Sequence, residues 1–124
     1  MFFTDAELAC RCGCGLLPKP ESRARLERLR ERCAFPFIIT SGARCAVYNA
    51  LVSGTGDDGP HTTGQAFDVG VAGEHALRLV DRAREEGFTG VGVKQHGPHG
   101  KRFIHLDDLP NADGQPRPWI WSYP

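Results

Sequence analysis

A carboxylate in the middle of an alternating strand sets the problem this chain has to solve. Ala66-Phe-Asp-Val-Gly-Val71 alternates with period two, with Ala66, Asp68 and Gly70 on one face and Phe67, Val69 and Val71 on the other. One face of any sheet holding this strand must be apolar, and the opposite face must give Asp68 a partner, because an unpaired desolvated carboxylate is costly. His61 lies seven positions upstream across Gly64, in Pro60-His-Thr-Thr-Gly. An imidazole and a carboxylate so placed form two thirds of a common hydrolytic metal set, and His105, in Arg102-Phe-Ile-His-Leu-Asp107, is the candidate third ligand.

At 124 residues the chain has room for one domain, residues 1–124, and one elaborate site. The 15 Lys and Arg balance the 15 Asp and Glu, so net charge gives no reason to expect nucleic acid or an acidic membrane as partner. The start lacks a basic segment followed by an apolar one, and no apolar run is long enough to span a bilayer. The reading is therefore a monomer made in the cytoplasm. Of five cysteines, three stand in Cys10-Arg-Cys12-Gly-Cys14, too close for easy mutual disulfides. Reduced thiols are the reading taken; the alternative is a structural metal held by some of Cys10, Cys12 and Cys14 with Cys33 or Cys45.

Residues 1–19 read as an irregular, Cys- and Gly-rich flap with a capping box at Thr4 and Glu7. Glu21 to Cys33 has helical spacing of Leu26, Leu29 and Cys33, with a solvated, charge-laced remainder. Phe35 to Thr40 reads as a buried strand that delivers Ser41-Gly-Ala-Arg44 to the rim of the sheet. A second helix is expected over Cys45 to Val52, with Val47, Ala50 and Leu51 as its apolar positions, and a third over Glu74 to Glu86, with Ala76, Leu77, Val80 and Ala83. Thr89 to Val93 and Arg102 to Asp107 read as a hairpin whose tip carries His96 and His99. In the tail, residues 108–124, Trp119 and Trp121 are read as anchoring the C-terminus.

Taken in order, Ser41-Gly-x-Arg44, Asn49, His61-x6-Asp68 and the strand ending His105-x-Asp107 resemble the M15 metallopeptidases, which include zinc D-Ala-D-Ala carboxypeptidases and bacteriophage peptidoglycan endopeptidases. The opening (Phe3, Glu7, Leu8, Cys10 to Gly15) and the closing Arg117-Pro-x-x-Trp-Ser-Tyr123 are similar to a short, phage-associated branch. The resemblance implies an α+β fold of the Hedgehog/DD-peptidase type, a small antiparallel sheet with flanking helices. It implies Zn²⁺ on His61, Asp68 and His105, Arg44 against a substrate carbonyl or carboxylate, and peptidoglycan peptide as substrate. Several relatives carry a catalytic acid three residues before the last ligand, where this chain has Arg102, and a guanidinium cannot accept a proton. Asp107 is the first candidate for base or for partner of a ligand imidazole, with His99 and His96 after it. The competing expectation is a metal-binding module of the same fold that has lost catalysis.

Overall fold

The computed structural model describes all residues, 1–124, as a mixed α+β domain built on one five-stranded sheet. In chain order the elements are α1 (Asp5–Leu8), α2 (Pro20–Cys33), β1 (Ile38–Ser41), α3 (Ala46–Val52), β2 (Ala66–Gly70), α4 (Gly73–Glu85), β3 (Gly90–Lys94), β4 (Phe103–Asp107) and β5 (Trp119–Ser122). The strands lie in the order β1-β2-β4-β3-β5. All pairs are antiparallel except β3 with β5, so the expected antiparallel sheet gains a parallel edge strand from a segment read only as a tail.

Strand alternation divides the sheet as Asp68 requires. Phe67, Val69, Val91, Ile104 and Leu106 join Leu26 and Leu29 of α2 and Leu79 and Ala83 of α4 in one buried cluster. At roughly 1.5 to 3 kcal/mol for each fully buried large aliphatic or aromatic side chain, this layer is the main source of stability. The arginines of α2 tie the two helices and the β4 end together at the rim: Arg25 pairs with Asp108, Arg28 with Glu86, and Arg32 with Glu85 and Glu86. The most exposed of them, Arg32 with Glu85, contributes little to stability, while Asp108 and Glu86 are largely covered. Thr4 and Glu7 form the expected capping box, and the opening segment is packed, with Phe3, Leu8 and Cys10 buried.

Four local expectations change. The strand expected over Phe35 to Thr40 starts at Ile38 and is an edge strand, with Ile38 exposed and its register shifted between Ile39 and Ser41. On α3, Val47 and Leu51 face solvent and Asn49 is the buried residue, because the helix rests on a polar loop instead of on the core. On α4 the buried position is Leu79, while Leu77 is exposed. In β5 Trp119 is exposed, so anchoring rests on strand pairing and on Trp121. No helix is long and apolar enough to cross a membrane.

Candidate metal centre and its cleft

One row of paired residues runs across all five strands: Ser41, Asp68, His105, Gly92 and Trp121. Members of such a row project to the same face, here the one opposite the core. The bulge in β1 brings Ser41 into register with Asp68, a known use of bulges beside sites. His61 reaches the row from a 3₁₀ turn, Pro60–Thr63, that ends at Gly64. Gly64 has φ +76°, and its carbonyl accepts the Lys19 N–H at 2.8 Å. That left-handed conformation is where glycine is favoured, and it turns the chain from the His61 loop into β2.

The imidazoles are oriented from behind. His61 Nδ1–H donates to the Gly42 carbonyl at 2.7 Å, which leaves Nε2 as an acceptor facing Asp68 Oδ1 at 3.1 Å. His105 Nε2–H donates to Asp107 Oδ2 at 2.8 Å, which leaves Nδ1 facing the same Asp68 oxygen at 3.1 Å. Three acceptor atoms, within 4.8 Å of one another, therefore converge from three buried residues. Repulsion among them is relieved by a proton or a cation. Two ligands on a tetrahedral zinc with bonds of about 2.0 to 2.1 Å stand about 3.3 Å apart, so the donor set and its spacing fit such an ion.

Electrostatics around the row are strongly coupled. Burial alone would raise the Asp68 carboxyl, but the His105 and His61 imidazoles facing it, once they carry the proton that relieves this repulsion, outweigh burial and hold the group well below the usual carboxylate range. Burial likewise disfavours the His105 imidazolium, yet the Asp107 and Asp68 carboxylates outweigh that, and its pKa is raised. Asp107 is pulled down to about 2, against burial, by His105 and Arg117. Arg117 grips both Asp107 oxygens, Nε to Oδ1 and Nη2 to Oδ2, at 2.8 Å each.

Arg44 stands at the strand-to-helix junction beside the cluster. Its Nε donates to Ser41 Oγ at 2.9 Å, Nη1 to Asn49 Oδ1 at 3.1 Å and Nη2 to Asp68 Oδ2 at 3.4 Å. The cluster opens into a cleft of about 780 Å³ walled by Arg44, Phe103, Trp121 and Tyr123, a size that suits a short peptide. The Trp121 ring packs 5.0 Å from His105, and burial raises the Tyr123 phenol.

The structure brings together His61, Asp68, His105 and Arg44 and redistributes the remaining candidates. Asp107 has no exposed surface, and its carboxylate is taken up by His105, Arg117 and the Leu109 N–H, so it orients His105 and does not face the cleft as a base. His99 is exposed on a 3₁₀ turn, His99–Lys101, and is not part of the cleft wall, so its position gives no support to a proton-carrier role. His96, also exposed, contacts the Tyr123 carbonyl at 3.3 Å. Arg102 donates to the Gly97 carbonyl, away from the cluster. Sequence reasoning assigned no role to Arg117, Tyr123, Gly90 or Gly92; the closing Arg-Pro-x-x-Trp-Ser-Tyr pattern was the one signal pointing to the first two.

A family model described as Peptidase M15 matches residues 1–107. The chain belongs to the peptidase M15 family. No curated protein matches it significantly. M15 peptidases are metallopeptidases, and the His61, Asp68 and His105 cluster is a possible metal site of this M15 chain. Arg117, Trp121 and Tyr123 lie beyond the matched residues and yet border the same cleft.

Proposed function

We propose that the protein is a zinc-dependent peptidase that hydrolyses a peptide bond in the peptidoglycan stem or cross-bridge, in the manner of an endolysin-type endopeptidase or a D,D-carboxypeptidase. The observation that carries this reading is the convergence of His61 Nε2, Asp68 Oδ1 and His105 Nδ1 at the floor of an open cleft, with a fixed guanidinium beside them. Zinc held by these three residues would supply a water acidified toward pH ~7 and a Lewis acid for the scissile carbonyl.

Gly42 and Asp107 keep the ligand nitrogens turned toward the cleft, which removes the cost of reorienting them during turnover. Arg44, braced by Ser41 and Asn49, offers N–H donors to the developing oxyanion or to a terminal carboxylate. Tyr123, kept neutral by burial, offers an O–H donor to the oxyanion or to the leaving amine. Phe103 and Trp121 give the cleft apolar walls that hold the peptide against these donors. On this reading the protein is synthesised in the cytoplasm and acts on the cell wall as a monomer.

A second reading has its own observation. No carboxylate side chain other than Asp68 lines the cleft, which is the pattern expected of a metal-binding module that has lost its base. Incubating the purified protein with defined peptidoglycan, with and without a chelator, and identifying released muropeptides by mass spectrometry separates the two. Chelator-sensitive release of peptide fragments, abolished together with zinc content in Asp68→Ala, supports the peptidase. Stoichiometric zinc with no released fragment supports the module.

A further inference from the structure

Away from the cleft, four of the five cysteines converge at one point. Cys10 Sγ lies 3.4 Å from Cys12 Sγ, Cys12 Sγ lies 3.7 Å from Cys45 Sγ, and the sulfurs of Cys10, Cys12, Cys14 and Cys45 all fall within 4.8 Å of one another. All are free thiols, at separations far beyond the roughly 2.05 Å of a disulfide. Two sulfurs on a tetrahedral zinc with Zn–S bonds of about 2.3 Å stand about 3.8 Å apart, which is the scale seen here. We propose that Cys10, Cys12, Cys14 and Cys45 form a second, structural site for a thiophilic divalent ion of the zinc type, separate from the His61, Asp68 and His105 cluster.

The local backbone is shaped for such a site. Gly13 and Gly15 take φ +88° and +84°, so the Cys10 to Leu16 segment folds back on itself, closed by the Gly13 N–H to the Cys10 carbonyl at 3.2 Å and the Cys10 N–H to the Leu16 carbonyl at 2.9 Å. Two backbone amides already point at sulfur: Cys45 N–H at Cys10 Sγ and Tyr48 N–H at Cys45 Sγ, both at 3.4 Å. A neutral thiol accepts such a bond weakly and a thiolate accepts it well, so these amides favour the ligand form. On binding, four S–H protons pass to solvent as four sulfur to metal bonds form. Cys33, buried in the core on α2, is outside the cluster.

The site would brace the catalytic loop. The Ala43 N–H donates to the Leu8 carbonyl at 3.0 Å, and Arg11 Nη2 donates to the Ile39 carbonyl at 2.8 Å, so the opening segment already lies along β1 and the loop after it. An ion bridging residues 10–14 to Cys45 clamps the stretch that contains Gly42, which orients His61, and Arg44.

Zinc content, cobalt absorption and thiol alkylation of the full chain under reducing conditions test the proposal. Zinc should fall from two per chain to one in Cys12→Ser/Cys14→Ser, whose altered positions are exposed, and equally to one in His61→Ala/His105→Ala. With Co²⁺, the sulfur-to-cobalt charge-transfer band in the near ultraviolet should persist in the His variant and vanish in the Cys variant. Metal should also shield Cys10, Cys12, Cys14 and Cys45 of the unaltered chain from iodoacetamide until a chelator is added. Absence of that band from the unaltered chain, or alkylation of the four thiols at the same rate with and without metal, overturns the proposal whatever the chain does to peptidoglycan.

Discussion

Asp68 shows how a single side chain can be costly to bury and still be retained: its oxygens face His61, His105 and Arg44, and each contact favours the ionised form. Arg44 approaches the same carboxylate but is held by Ser41 and Asn49, so its removal should spare the metal. Arg44→Ala is expected to keep full zinc and an unchanged melting temperature while kcat falls roughly a hundredfold, the scale for loss of one charge-stabilising donor; steady-state kinetics beside metal analysis checks this. The pH dependence of the metal-free chain follows from the same contacts. Asp107, lowered from 3.8 to about 2, and Asp68, lowered further, contribute stability that is present above their ordinary values and lost as pH falls through the folded ones. His105, raised from 6.5, contributes stability present below its ordinary value and lost as pH rises through the folded one. The metal-free melting temperature should therefore peak between about pH 4 and pH 6.5. In Asp107→Asn, which unpairs Arg117 and weakens the hold on His105, both limbs should flatten, as thermal melts across pH would show.

At the scale of elements, β3 provides space. A Cβ on Gly90 would run into the Asp107 carboxylate, and one on Gly92 would sit 2.6 Å from Trp121 Nε1 and 2.8 Å from the Tyr123 ring. Valine suits strands in general, yet Gly92→Val should push β5 off β3 and cost about 1 to 3 kcal/mol, the usual range for overpacking. Denaturant unfolding read by tryptophan fluorescence would register both the loss and the freed Trp121. Helix α3 gives the opposite expectation, since its apolar spacing carries no burial. Val47→Lys and Leu51→Lys should change stability by less than about 0.5 kcal/mol, whereas a core-facing helix would lose several times more. A measured loss above 2 kcal/mol would contradict the solvent exposure of that face.

For the whole molecule, the two faces of the sheet have separate duties: one holds the core, and the other converts strand register into the His61, Asp68 and His105 donor cluster. Donor groups drawn from a 3₁₀ turn, β2 and β4 meet only in the folded chain, so an ion held by them would stabilise the fold by mass action, about 2.7 kcal/mol at a hundred times its dissociation constant. Zinc added to the metal-free protein should raise the melting temperature in a concentration-dependent way, and a chelator should reverse the rise. A melting temperature indifferent to zinc would mean that the donor cluster is filled by protons alone.

How much of this was legible from residues alone depends on the range of the interaction. The Ala66 to Val71 alternation placed Asp68 opposite the core, and the ordered His61, Asp68 and His105 spacing was readable because strand and turn geometry act over a few residues. The α2 and α4 helices, with Leu26, Leu29 and Ala83 inward, followed from the same local periodicity. For Asp107, pairing with a ligand imidazole was one of two roles its shared face offered, and it is the one seen, with His105; what excludes the other, the base, is its occupation by Arg117, which depends on a chain return that brings β5 parallel to β3. Cys45 joined Cys10, Cys12 and Cys14, and Cys33 did not, for the same reason. Sequence by itself determined which side chains share a face of their own element. Only the tertiary structure decided which pointed-at groups meet, because partners tens of residues apart are chosen by the packing of the whole sheet.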